Sequence, residues 1–312
     1  MVVFSRLEDR HRTQIEAVDP RVRVRVAADP ETGRALAPTA EIALGWNIPV
    51  DVVQHAPRLR WIHSTGAGVD RLMHPEVLSR EIVITTSSGI HHSLVEHVLA
   101  MVLALSRRLH IAVRNQVQHR WDRGPRVIGG EIAGQTMGIL GLGHIGTELA
   151  TKAHALGMRV IGTKRTPAPI AGVDRVVGPD GLGEVLREAD AVVVALPLTP
   201  ETRGLLGEPE LRMMKPTAVL INVGRGPIVQ ERPLIQALRE RWIAGAGLDV
   251  FDQEPLPADS PFYELENVIM SPHVSGTSPH YMDRAVAVFC ENLVSYLQGN
   301  PLRNVVDKGR GY

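Results

Sequence analysis

The chain has 312 residues, and its 34 Lys and Arg balance 34 Asp and Glu, so the formal net charge is zero. That balance gives no basic face for a phosphate backbone and argues against a nucleic-acid partner. A single cysteine, Cys290, excludes an internal disulfide and a cysteine-based zinc site. The length suits two domains rather than one core. Val2-Val3-Phe4 passes at once into Ser5-Arg6-Leu7-Glu8-Asp9, so no signal peptide is expected. No run of roughly 18 or more apolar residues occurs, so no membrane span and a cytoplasmic location are expected. Val22 to Val26 alternates strictly, the pattern of a half-buried strand. Residues 42–45, 61–64 and 82–86 read as short buried strands, with helices predicted over 50–55 and 75–79. Strands alternating with helices suggest a parallel α/β layer. A helix is predicted over 93–110, apolar around much of its circumference, which fits either a deep position in its own chain or a subunit contact.

From Thr136 the alternation is regular. Strands are predicted at 136–140, 159–162, 191–196, 218–222, 246–250 and 268–271, with helices over 146–156, 182–188, 210–214 and 233–240. This is the pattern of a doubly wound sheet of about six or seven parallel strands. An amphipathic helix over 279–297 and an irregular or short-strand tail close the chain.

Between the strand at 136–140 and the next helix lies Gly141-Leu142-Gly143-His144-Ile145-Gly146. Three glycines spaced in this way mean little alone, but a strand before them and a helix after them give them a mechanism. Gly141 permits the tight turn, Gly143 clears room for a pyrophosphate, and Gly146 lets the helix pack close to the sheet. The helix N-terminus then presents N–H groups to the phosphates. A nicotinamide dinucleotide is the expected cofactor. In an NAD site the second strand ends in an acid that binds the ribose 2′-OH. Here it runs into Thr163-Lys164-Arg165-Thr166, two cations and two hydroxyls with no acid. Lys164 and Arg165 would attract a 2′-phosphate, so NADP(H) is expected in preference to NAD(H).

Three further segments follow strands on the expected cofactor edge: Asn222-Val223-Gly224-Arg225-Gly226-Pro227, Leu248-Asp249-Val250-Phe251-Asp252-Gln253-Glu254-Pro255, and Ser271-Pro272-His273-Val274-Ser275-Gly276-Thr277. Ligands of open α/β sheets bind beyond the carboxyl ends of strands. Reducing a ketone needs a hydride, which the cofactor supplies, and a proton. Histidine is a fitting proton source near neutral pH, and a neighbouring carboxylate orients it and favours its charged form. An arginine can fork onto a substrate carboxylate. His273, Glu254 and Arg225 fit these roles, although spacing alone leaves a structural role open for each.

Taken in order, these segments resemble the D-isomer-specific 2-hydroxyacid dehydrogenases, glyoxylate and hydroxypyruvate reductases among them, over nearly the whole length. The resemblance rests on Ser64-Thr65-Gly66-Ala67-Gly68-Val69-Asp70, the glycine turn, Ala195 to Thr202 (ALPLTPET), Met214-Lys215-Pro216 leading into Asn222 to Gly226, Asp249 to Pro257, and Ser271-Pro272-His273. It implies two Rossmann-like domains, with a doubly wound cofactor domain (93–285) inserted into a flavodoxin-like substrate domain (1–92 and 286–312). Reduction of a small 2-keto acid to the D-2-hydroxy acid is implied, with His273 as acid/base, Glu254 as its partner and Arg225 as substrate anchor. Backbone groups of Thr65, Gly66, Ala67 and Gly68 are implied to hold the substrate carboxylate. Cofactor contacts are implied at Gly141, Gly143, His144, Ile145, Gly146, Thr163, Lys164, Arg165, Thr166, Leu196, Pro197, Thr202, Val223, Gly224, Asp249, His273 and Gly276. Lys164 stands where NAD-type members carry the acid. A homodimer joined near the helix at 93–110 and closure of the domains on binding are further implications. A phosphoglycerate dehydrogenase-like enzyme and a non-catalytic dinucleotide-sensing corepressor are the alternatives. His91 and His92 have too few neighbouring ligands for a metal, so none is expected. Trp121 reads as a packing anchor and Cys290 as core.

Overall fold

The structure, a computed structural model, describes residues 1–5 and 7–312. The chain divides into two units, residues 1–90 with 278–312, and residues 91–277. Among the described residues no helix is long and apolar enough to cross a membrane.

The first unit begins with β1 (Val2–Phe4), α1 (Asp9–Glu16), β2 (Arg25–Val26), α2 (Pro30–Leu36), β3 (Ile42–Gly45), α3 (Val50–Gln54), β4 (Trp61–Ser64), α4 (Pro75–Leu78) and β5 (Val83–Thr86). All five strands are parallel, in the order β2-β1-β3-β4-β5. That is the flavodoxin-like order. The alternation expected at Val22 to Val26 holds in burial only for Val22 and Val24; Val26 is exposed. Only Arg25 and Val26 pair, however, because β1 offers them just Val2 and Val3. The runs Ile42–Gly45 and Trp61–Ser64 are buried throughout, as strands covered on both faces require.

The second unit opens with α5 (His92–Ser106) and α6 (Leu109–Val117). One helix over 93–110 was the expectation; the chain instead breaks at Arg107 and Arg108, the latter left-handed at φ 55°. The returning backbone forces the break. A Cβ on Gly129 would lie 2.4 Å from the Ser106 carbonyl oxygen, and the Gly130 N–H donates to that same oxygen at 2.9 Å. The apolar face of α5 (Leu94, Val95, Val98, Met101, Val102, Leu105) is buried within its own unit. α6 has no fully buried residue, and Leu109, Val113 and Val117 on it are 52%, 57% and 76% exposed.

The second sheet comprises β6 (Thr136–Leu140), β7 (Arg159–Thr163), β8 (Arg175–Val177), β9 (Ala191–Val194), β10 (Val219–Asn222), β11 (Gly245–Leu248) and β12 (Val268–Met270). The helices between them are α7 (His144–Ala155), α8 (Leu182–Glu188), α9 (Glu208–Met213) and α10 (Glu231–Arg239). The order β12-β11-β10-β9-β6-β7-β8 is parallel throughout. Counted from β6 it is the Rossmann order with one strand added, and its direction of winding reverses between β6 and β9.

The chain returns to the first unit at residue 278. A return at 286 was the expectation, but α11 (Tyr281–Gln298) belongs to the first unit from its first turn. Tyr281 Oη donates to the Thr65 carbonyl at 2.6 Å, and Asp283 pairs with the buried His11 at 2.7 Å. Likewise His91 and His92 fall in the second unit, two residues before the expected crossing.

Candidate active site

β6 is buried along its length and is followed by Gly141, whose φ is +104° and whose Cβ would lie 2.7 Å from the Ala195 carbonyl oxygen. Only glycine meets both conditions. Gly146 is excluded from bearing a side chain by packing, since its Cβ would sit 2.1 Å from the Gly141 oxygen. Gly143 differs, because a Cβ there would meet nothing within 4 Å. The protein itself gains nothing from a missing side chain at this point; the space is open in front of the turn. Gly143 is the N-cap of α7 and supplies no side-chain cap, so the first-turn N–H groups lack intrahelical partners. α7 starts at His144, two residues before the expected start, so His144 and Ile145 carry two of those groups. An open cradle facing an uncapped helix N-terminus fits a dinucleotide pyrophosphate.

β7 backs this turn. The Thr163 carbonyl accepts from the Leu142 N–H at 2.9 Å, and Thr163 Oγ1 accepts from the Gly141 N–H at 3.2 Å. Lys164 Nζ donates to the Leu142 carbonyl at 2.8 Å, so its ammonium lies over the turn. Arg165 and Thr166 follow on the exposed side.

The other implied cofactor residues follow β9, β10, β11 and β12, hence the same edge of a parallel sheet. Thr202 Oγ1 donates to the Pro197 carbonyl at 2.6 Å and closes the loop after Leu196. A Cβ on Gly224 would come within 2.8 Å of the Leu196 carbonyl oxygen, so the segment of Val223 and Gly224 lies against that loop. Asp249 is fully buried. Its carboxylate accepts from Ser271 Oγ at 2.6 Å and from the Val274 and Ser275 N–H groups at 3.0 Å each. It is committed to holding the Ser271 to Gly276 loop.

The trio is gathered on this edge. His273 Nδ1 lies 2.8 Å from Glu254 Oε2, with both side chains about a quarter exposed, at 25% and 24%. Glu254 Oε1 accepts from the Phe251 N–H at 3.1 Å. Glu231 Oε1 takes the Asp252 N–H at 2.8 Å, so the acid loop is fastened twice. Burial pushes the Glu231 and Asp252 carboxyls up from their ordinary range. Arg225 stands on a loop pinned by Asn222. The Asn222 amide donates to the Arg225 carbonyl at 3.1 Å, and its Oδ1 accepts from the Gly224 N–H at 3.1 Å. A Cβ on Gly226 would fall 2.0 Å from the Phe251 carbonyl carbon, so this loop presses on the segment leading to Glu254.

In the first unit, β4 ends in the Ser64 to Gly68 loop. Ser64 Oγ accepts from the Gly66 N–H at 3.2 Å, and the Ser87 N–H reaches the carbonyls of Ser64 and Gly66 at 3.0 and 3.3 Å. Beneath it His63 is fully buried between Thr85 Oγ1 (2.7 Å) and Ser87 Oγ (3.0 Å). Burial pushes this imidazole down to about 3. Trp61 Nε1 donates to the same Thr85 oxygen at 2.8 Å. The buried ring is thus hydrogen-bonded at both nitrogens, to the Thr85 and Ser87 hydroxyls.

No sequence pattern assigns a role to the supports Asn222, Tyr281, Ser271 and His63. Asn222 alone leaves a local signal, an Asn at a strand end two residues before a glycine.

Residues 99–275 match the family model for the D-isomer specific 2-hydroxyacid dehydrogenase NAD-binding domain. The chain belongs to the D-isomer-specific 2-hydroxyacid dehydrogenases. Among curated members, it is 35% identical over 265 residues to the glyoxylate reductase of Korarchaeum cryptofilum, covering 84% of this chain and 80% of that one. To the glyoxylate reductase of Aeropyrum pernix it is 36% identical over 273 residues, with coverage of 84% and 80%. Among solved structures, the family dehydrogenase of Xanthobacter autotrophicus Py2, in complex with NADPH and MES, matches with a TM-score of 0.86 at 33% identity over 100% of this chain and 98% of that one. The NADPH-dependent glyoxylate/hydroxypyruvate reductase of Sinorhizobium meliloti, with NADP and sulfate, matches at 0.87 and 29% identity over 100% and 99%. As a dehydrogenase of this family the chain is an oxidoreductase of small 2-keto or 2-hydroxy acids with a nicotinamide cofactor.

Proposed function

We propose that this dehydrogenase reduces glyoxylate, hydroxypyruvate or a similarly small 2-keto acid to the D-2-hydroxy acid, with NADPH preferred to NADH. The observation that carries this reading is the His273–Glu254 contact of 2.8 Å, on the same sheet edge as the Arg225 loop and the open cradle at Gly143. Bound there, the cofactor supplies the hydride. His273 delivers a proton to the carbonyl oxygen, and Glu254 on Nδ1 fixes the orientation of the ring. Arg225 holds the substrate carboxylate and polarises the carbonyl. In the first unit, the backbone N–H groups of Thr65, Gly66, Ala67 and Gly68 are suited to holding an anion.

NADPH preference is supported by Lys164 and Arg165 where an acid would repel a 2′-phosphate, and by the nicotinamide phosphates named in the neighbouring structures. Trp121, expected as a packing anchor, is exposed instead, and with Leu109, Val113 and Val117 it forms an exposed apolar row that supports a homodimer through α6 and the segment after it. Sedimentation as a monomer at micromolar concentration would remove that part. The function is tested by following oxidation of NADPH and of NADH with a panel of 2-keto acids. Highest efficiency is expected with glyoxylate or hydroxypyruvate and NADPH. Absence of turnover on every acid would instead favour a dinucleotide sensor.

A further inference from the structure

The loop that carries His273 is wound around one buried carboxylate. Asp249 accepts from Ser271 Oγ and from the N–H groups of Val274 and Ser275, while its carbonyl accepts the His273 N–H at 2.8 Å. His273 itself sits at φ 55°. A non-glycine residue holds that conformation only where its surroundings determine it.

Helix α5 supplies part of that determination. Ser271 has one hydroxyl proton. With that proton directed to the Asp249 carboxylate at 2.6 Å, Ser271 Oγ must accept from its other neighbour, His97 Nε2, at 2.9 Å. His97 therefore carries a proton on Nε2. One turn earlier on the same helix face, Ser93 Oγ donates to the Gly276 carbonyl at 3.0 Å. α5 thus grips the catalytic loop on both sides of His273, at Ser271 and at Gly276. His97 is the one polar side chain of this grip that acts through the buried carboxylate.

We infer that His97 is a positioning residue: its Nε2–H, through Ser271 and Asp249, holds the His273 loop in its reactive shape. This rests on the acid/base role proposed for His273. A donor matters here, not a ring, so Gln should replace His97 and Leu should not.

The test measures kcat and KM for glyoxylate with NADPH in His97→Leu and His97→Gln. His97→Leu is expected to lower kcat roughly three- to tenfold with a smaller change in KM, and His97→Gln to stay within about twofold of wild type. Wild-type kcat in His97→Leu, or an equal fall in both variants, would overturn the inference. Ser271→Ala cuts the same link from its other end. The double variant with His97→Leu should be no slower than the worse single variant, and additive losses would also count against it. Amide hydrogen exchange of Val274 and Ser275 gives a readout independent of turnover. It should accelerate in His97→Leu but not in His97→Gln, and unchanged exchange in His97→Leu refutes the link. An inactive wild type would instead overturn the proposed reaction, so the two failures are distinguishable.

Discussion

His273 combines three constraints that seldom meet in one residue. Its backbone is left-handed, its Nδ1 faces a carboxylate, and its N–H is spent on Asp249. A ring fixed in this way presents Nε2 in one orientation, as proton delivery requires. His273→Gln keeps the size and polarity but cannot gain and lose a proton. It should lower kcat by a factor on the order of 100 to 10,000, while NADPH affinity, measured by fluorescence titration, changes by only a few-fold. Substantial turnover in that variant would refute the acid/base assignment. At this scale the placement of the trio on one sheet edge was legible, because each member follows a predicted strand. His97 was not, because one histidine in an apolar helix acquires meaning only when β12 brings Ser271 beside it. Asp249 entered only as an implied cofactor contact, and nothing in its strand marks it as the post around which the His273 loop is wound.

The glycine turn shows how one motif divides its work along an element. Gly146 is required by packing and Gly141 by backbone geometry, whereas Gly143 faces open space. This predicts opposite outcomes for two substitutions. Gly143→Asp places a favoured N-cap residue on α7 and should leave the melting temperature unchanged or raise it. Its carboxylate would face the pyrophosphate and weaken NADPH binding at least tenfold, on the order of 1.4 kcal/mol. Gly146→Val forces a side chain into the Gly141 carbonyl and should cost at least about 2 kcal/mol of stability. A Gly143→Asp variant that binds NADPH as wild type does would remove the cradle from the cofactor site. The regular strands of the second unit were read nearly to their ends, because runs such as Ala191–Val194 are buried throughout. The break between α5 and α6 was not legible. It is imposed by Gly129, more than twenty residues downstream, through backbone contact that leaves no periodicity. β8 was not legible because Arg175-Val176-Val177 is half-buried at every residue and shows neither a buried run nor an alternation.

Across the whole molecule, the discontinuous first unit came from resemblance rather than from periodicity. Nothing in the pattern of 281–298 says which sheet that helix covers; Tyr281 and Asp283 reveal it only through partners more than two hundred residues away. The buried histidines also tie global stability to pH. Burial holds His63 at about 3 in the first unit and His91 at about 4 in the second, both below the ordinary value of 6.5. In the unfolded chain both titrate near that ordinary value. Between the two values the unfolded state binds more protons than the folded one, so stability rises with pH there. Full stability is present above 6.5 and is lost progressively as pH falls toward the folded values. At pH 5 each histidine should cost its unit about 2 kcal/mol relative to neutrality. That window lies above the titration of most carboxylates, so the loss is attributable to histidine. Urea unfolding at pH 7.5 and pH 5 measures it. His63→Phe should be less stable at neutral pH, because Thr85 and Ser87 lose their partner, yet should show a smaller decline between the two conditions. An undiminished decline in that variant would mean that His63 is not held neutral by its burial.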